Sequence, residues 1–136
     1  MAQELHLDEA GIQPISDRDQ VAAVVKAVVR ATASWGLSAS ESSALFDVPV
    51  ATWNRMKSST FNGGLDRDKV TRASLIIGIY KGIRLLFNGP LTTDWPTLPN
   101  RGEPYGGRRP VDLMIAGGIP AMSGVRQHID ALRGGL

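Results

Sequence analysis

The chain reads as all-α, and three observations predict it. Apolar residues recur every three or four positions in each long run. The β-branched runs fall inside those helical periods instead of alternating along a strand. Serine, aspartate, proline and glycine stand where helices start and stop. About six helices follow from that pattern, and no segment reads as a strand.

The first helix spans 17–35. Val21, Val24, Val25, Val28, Val29 and Thr32 keep helical spacing, Asp17 and Asp19 suit the positive end of the helix dipole, and Gly36 is a C-terminal stop. Ser38 and Glu41 form a capping box that opens a short helix running to Phe46. Asp47-Val48-Pro49 breaks it, and Pro49 opens VATWNRMKS. Phe61 to Gly64 is a loop. Asp66 caps a long helix whose stripe is Val70, Ala73, Ile76, Ile77, Tyr80, Ile83 and Phe87, and Asn88-Gly89-Pro90 ends it. After a loop, Pro110 opens VDLMIA, which Gly117-Gly118 closes. Pro120 opens the last helix, with Met122, Val125, Ile129 and Leu132 on one face and Gly134-Gly135 beyond it. Residues 1–15 show no period and read as a flexible arm.

Composition bounds the function. At 136 residues with 43% apolar content the chain is long enough for one domain or two small lobes sharing a core. It has no cysteine, no basic-then-apolar leader and no apolar run long enough to span a membrane, so a cytoplasmic protein is expected. The net charge is +2, unevenly spread. Through Ser58 seven acids outnumber five bases, whereas the remainder carries ten bases and six acids. His6 and His128 are the only histidines, and without cysteine they make no recognisable zinc site. His128 is expected on a helix surface. Asp66 and Asp68 are first-turn helix acids, and no Ser, His and Asp share a triad spacing. No catalytic residue, metal site or cofactor is expected, so the chain reads as a non-enzyme.

The segment 39–58 has the shape of a helix-turn-helix: two short helices joined by a tight turn. Phe46, Val48, Trp53 and Met56 would pack inward. Pro49, Val50, Ala51, Asn54, Arg55 and Ser58 would then face outward, as a recognition helix faces the major groove. Asn54 suits adenine, Arg55 suits guanine or a phosphate, and Lys57 could touch the DNA backbone. Asp47 fills the turn position usually held by glycine; aspartate tolerates a left-handed backbone less freely. The same pattern would also serve an ordinary helical hairpin with a solvated outer face.

The stretch WPTLPNRGEPYGGRRPVDLM, Trp95 to Met114, lacks the strand and glycine spacing of a phosphate loop. A bare linker would leave Trp95, Leu98 and Tyr105 in water. A folded surface offered to a partner fits better. Trp95, Pro99-Asn100, Gly106-Gly107, Pro110-Val111-Asp112-Leu113, Gly117, and Val125 through Leu132 to Gly134 together resemble the toxin-binding domain of the MbcA/ParS/Xre antitoxin family. The resemblance covers roughly 65–136, and the helix-turn-helix before it fits that family's two-part layout.

That resemblance implies an Xre-like helix-turn-helix lobe at 16–64 and a small helical toxin-binding lobe at 65–136. It implies an antitoxin whose partner is a nearby-encoded RES-domain toxin that consumes NAD⁺ or transfers ADP-ribose from it. The antitoxin would cover the toxin's cleft with its C-terminal segment, Ala131, Leu132, Arg133, Gly134, Gly135 and Leu136. The docking face would add Asn100, Arg101, Arg108 and Arg109, and arginine suits such interfaces because its planar fork makes several bonds. Arg133 and the terminal carboxylate are expected to be free charges on a slim Gly-Gly extension; equally, these arginines could merely solubilise a loop while the tail frays. The helix-turn-helix would bind operator DNA and repress the operon. The apolar helix at 17–35 is expected to support a homodimer within a larger toxin–antitoxin complex, pairing two recognition helices on a palindrome. The competing reading is a stand-alone helix-turn-helix regulator whose C-terminal lobe serves only to dimerise.

Overall fold

A computed structural model describes residues 12–134. Its helices are α1 (Arg18–Ser34), α2 (Ala39–Phe46), α3 (Val50–Lys57), α4 (Arg67–Leu86), α5 (Leu91–Asp94) and α6 (Pro110–Leu132), with a 3₁₀ turn at Trp95–Thr97. Among the described residues the one departure from helix and loop is an isolated antiparallel bridge.

Local chemistry sets the helix starts. Asp17 accepts the backbone N–H of Gln20 at 2.9 Å, and Asp66 accepts that of Lys69 at 3.0 Å. Ser38 accepts the Glu41 N–H at 3.0 Å while the Glu41 carboxylate accepts the Ser38 N–H at 2.9 Å, so the capping box is complete. Trp35 caps the end of α1, and Gly36 follows at φ 69°.

α4 is the central helix. Ala73, Leu75, Ile76, Ile79 and Ile83 are fully buried in it, because α1, α2 and α6 all pack against it. The buried face is therefore wider than the expected stripe, while Ile77, Tyr80 and Phe87 sit half-buried at its margins. Arg72 reaches Met122, Gly78 underlies the Arg126 guanidinium, and Gly82 receives Ile129. These pairings rise together in sequence number, so α4 and the second half of α6 run in parallel. A Cβ on Gly82 would lie 2.7 Å from the Ile129 side chain, so that glycine lets the two helices close.

Pro110–Leu132 is two helices meeting at a kink: Gly118 leaves helical geometry with φ 66° and ψ −151°, a conformation open to glycine, and Pro120 follows without a backbone N–H to donate. The expected stop at Gly117-Gly118 and restart at Pro120 thus takes the form of one kink. Leu132 departs from expectation: it shares the helical phase of buried Ile129 yet is 52% exposed. Ile129 packs at Gly82, and α4 ends one turn later at Leu86, so its cover runs out.

Three further expectations are corrected. The last residues of the supposed arm are packed: Ile12 is buried, and Ile15 exchanges two backbone hydrogen bonds of 2.8 Å with Leu65. Residues 1–11 lie outside the described residues. The connection after α4 is not plain loop but carries α5 and the 3₁₀ turn, which bring Trp95 into the core. Finally, α1 has no surplus apolar face. Val21, Val25 and Val28 are buried and Val24 and Val29 pack against the same core, leaving Ala22, Ala23, Lys26 and Arg30 outward. The ground for dimerisation through α1 therefore falls away. One continuous hydrophobic cluster serves both halves of the chain. No helix among the described residues is long and apolar enough to cross a membrane.

Candidate nucleic-acid and partner interfaces

Two surfaces carry the expected site residues. The first is built around α3. Phe46 and Trp53 meet edge-on with ring centroids 6.2 Å apart, and Met56 is buried beside them. Those anchors fix the rotation of α3, which turns Pro49, Val50, Ala51, Asn54, Arg55, Lys57 and Ser58 outward, all exposed. The Arg55 guanidinium donates to Thr52 Oγ1 at 3.1 Å, one turn back on the same helix. Ser58 Oγ donates to the Arg55 carbonyl at 3.2 Å and lies 2.9 Å from Thr60 Oγ1. Thr52 was not among the expected residues, although the i, i+3 spacing to Arg55 was visible.

The turn between α2 and α3 adopts the geometry that its sequence strains to reach. Asp47 is left-handed, with φ 58° and ψ 54°. Its carboxylate faces Arg72 and Lys69 of α4 at 3.8 and 3.9 Å. Arg72 also donates to the Leu45 carbonyl at 3.1 Å, satisfying an orphan acceptor at the end of α2. Asp68 holds the two cations from below, at 2.8 Å to Lys69 and 3.0 Å to Arg72. Partial burial pushes the Asp68 carboxyl up, but the hydrogen bonds from Lys69 and Arg72 outweigh it and hold the group below its ordinary value. Arg72 was invisible as a functional residue in the sequence, since its partner carbonyl lies 27 positions away.

The second surface lies at the far end of the chain. The loop from Leu98 to Arg109 is cross-braced by its own hydrogen bonds. Asn100 accepts the Gly102 N–H on its side chain at 3.0 Å, and its backbone pairs with Arg108 and Gly107 at 3.1 and 2.7 Å. Gly106 and Gly107 take φ of 60° and 89°, which that reversal requires. Asn100 thus shapes the loop, and Arg108 turns its Nε to the Tyr105 carbonyl at 3.1 Å while remaining exposed; Arg101 is exposed as well.

Tyr105 is fully buried below that loop. Its ring meets Trp95 edge-on at 5.7 Å, and its hydroxyl is 2.7 Å from His128 Nδ1. Burial pushes the phenol up to about 12. His128 is therefore not a free helix-surface residue: it is half-buried, with its ring against those of Trp95 and Tyr105.

Arg109 is not a free docking cation. Its guanidinium makes a fork to both Asp112 oxygens at 2.7 and 2.8 Å and a third bond to Glu41 at 2.8 Å. The same Glu41 carboxylate that caps α2 thereby anchors the start of α6. Backbone bonding from Ser38 and the Arg109 hydrogen bond hold Glu41 below its ordinary range, and Arg109 does the same to Asp112. In return the Arg109 guanidinium is held more firmly protonated.

At the end of α6, Leu132, Arg133 and Gly134 are exposed, and Gly134 ends the helix at φ 81°. Arg133 is paired with Asp130 at 3.4 Å and so is not the free charge expected. Gly135 and Leu136 lie outside the described residues. Among the described residues no three His, Cys, Asp or Glu side chains converge on a metal site.

Two comparisons bear on this arrangement. Residues 15–78 match the antitoxin Xre-like helix-turn-helix domain family. The match begins at the residue that bridges to Leu65 and continues into α4, the helix that closes over α1 and α2. Over 127 residues the chain is also 35% identical to the uncharacterized protein y4oB of Sinorhizobium fredii, covering 92% of this chain and 95% of that one.

Proposed function

The chain belongs to the Xre-type antitoxin family, with a helix-turn-helix DNA-binding domain, and from that premise we propose that it neutralises a RES-domain toxin encoded nearby. In this reading the toxin consumes NAD⁺ or transfers ADP-ribose from it. The antitoxin lays its C-terminal segment over the cleft where the dinucleotide enters. The observation that carries it is the loss of cover at the end of α6: Ile129 is fully buried, and one turn later Leu132 is more than half exposed, with Arg133 and Gly134 beyond it. An apolar residue followed by a cation and a glycine on a slim stem suits insertion into a cleft. Arg101 and Arg108, exposed on a braced loop, supply interface arginines at low ordering cost.

The companion activity is repression of the operon through α3, with Asn54 and Arg55 on bases and Lys57 on phosphate. A homodimer would place two α3 helices on a palindrome.

The test is co-expression with the neighbouring gene product. The full chain is expected to restore growth. A variant lacking Arg133–Leu136 should fail to do so while keeping its helical circular dichroism and melting temperature. Full neutralisation by the truncated chain would overturn the occlusion reading. A gel shift on the upstream DNA, with Arg55→Ala as comparison, tests repression. A chain that shifts this DNA but leaves the neighbouring product untouched would be a stand-alone regulator.

A further inference from the structure

The leading edge of α3, Pro49-Val50-Ala51, carries no hydrogen-bonding side chain; Thr52, the next residue, has its hydroxyl engaged by Arg55. Pro49, Val50 and Ala51 are all exposed, and polar readers begin only with Asn54 and Arg55. Val50 is 46% exposed and is the one large apolar side chain left so open among the described residues before α4. It cannot turn inward, because Trp53 and Met56 fix the rotation of the helix. In a helix-turn-helix the first turn of the second helix is the part that meets base edges. In the major groove the apolar feature of a base edge is the thymine C5 methyl group.

We propose that Val50 reads a thymine methyl in the operator, with Ala51 beside it, so that the leading edge of α3 selects sequence by apolar contact. This rests on the DNA-binding reading above and specifies what that surface recognises. The spacing narrows it further. Val50 and Asn54 are separated by about 6 Å along the helix axis, close to two base-pair steps of about 3.4 Å. The thymine therefore falls within two base pairs of the adenine or guanine read by Asn54 or Arg55. Thr52 is a positioning residue here: its hydroxyl holds the Arg55 guanidinium at 3.1 Å, limiting the search of a long side chain.

The experiment selects binding sites from a pool of random duplexes. It uses the full chain, both alone and co-purified with its neighbour-encoded partner. Each thymine of the recovered site is then replaced singly by deoxyuridine, which removes the methyl group and leaves base pairing intact. At one thymine per half-site the wild type should lose about fourfold in affinity, the size of one buried methyl group. Val50→Ala should bind thymine and uracil equally at that position. This variant trims a side chain that is 46% exposed and raises helix propensity, and circular dichroism checks its fold. A wild type indifferent to uracil at every thymine overturns the proposal, as does Val50→Ala retaining the full uracil penalty. Recovery of no preferred sequence in either form would instead remove the DNA-binding reading, and this proposal with it.

Discussion

At Asp47 the backbone turns left-handed with a Cβ in place, where glycine would do so without steric conflict. Aspartate is among the few side chains that visit this region readily. Its carboxylate is largely exposed, so its attraction to Arg72 and Lys69 at nearly 4 Å adds little. Strain and side-chain chemistry can be separated by substitution. Asp47→Ala keeps the Cβ and loses the polar group, and should lower stability by about 1 kcal/mol. Asp47→Gly should hold or exceed the wild-type value. Urea midpoints for the two variants decide it, and identical midpoints would mean that the turn is not strained. The conformation was legible in the sequence, because the turn position and the residue type were both visible there. The position of His128 was not. Its partners Tyr105 and Trp95 lie 23 and 33 residues away, and no periodicity within α6 reports them.

Helices were legible wherever their ends are set by residues three positions apart. Ser38 and Asp66 cap as their spacing implies, and Asp17, read as an acid suiting the helix dipole, is itself the cap of α1. Elements held by distant partners were not. The bridge from Ile15 to Leu65 joins segments fifty residues apart, and the short turns around Trp95 are set by burial against α4 and α6. Gly118 belongs to the legible group: a Gly-Gly pair two residues before a proline marks a break in any helix. Replacing it with alanine should lower stability by about 2 kcal/mol through backbone conformation alone. A Cβ there would meet nothing closer than the Arg72 guanidinium at 3.7 Å, so no clash confounds the measurement. Gly124→Ala, in open helical surroundings, should instead be neutral or stabilising by up to about 1 kcal/mol. Equal thermal midpoints for the two variants would show that the kink carries no such demand.

Across the whole molecule, Glu41 joins the start of α2 to the start of α6 through Arg109, and the charge state of one carboxylate therefore acts on both halves. Its folded-state pKa lies below the ordinary 4.5. The unfolded chain then takes up the proton first as pH falls. The stability from the charged form is complete above about pH 5 and is lost as pH drops through the depressed value. Glu41→Gln should lower stability at neutral pH by about 0.5–1 kcal/mol, discounted because both partners are about a third exposed. The gap to wild type should narrow near pH 3. A constant gap between pH 7 and pH 3 would show that the glutamine variant differs for reasons other than charge. The arginines around this link looked alike in sequence. Arg108 and Arg109 are adjacent, yet one stays at the surface and the other makes three hydrogen bonds to two carboxylates, Asp112 of α6 and Glu41, which lies 68 positions earlier.

A single apolar interior spans the recognition helix and the C-terminal end proposed to meet the toxin. Such a body melts as one cooperative unit. A protease that waits for the open chain would therefore remove both proposed activities, at the DNA and at the toxin, in the same stroke.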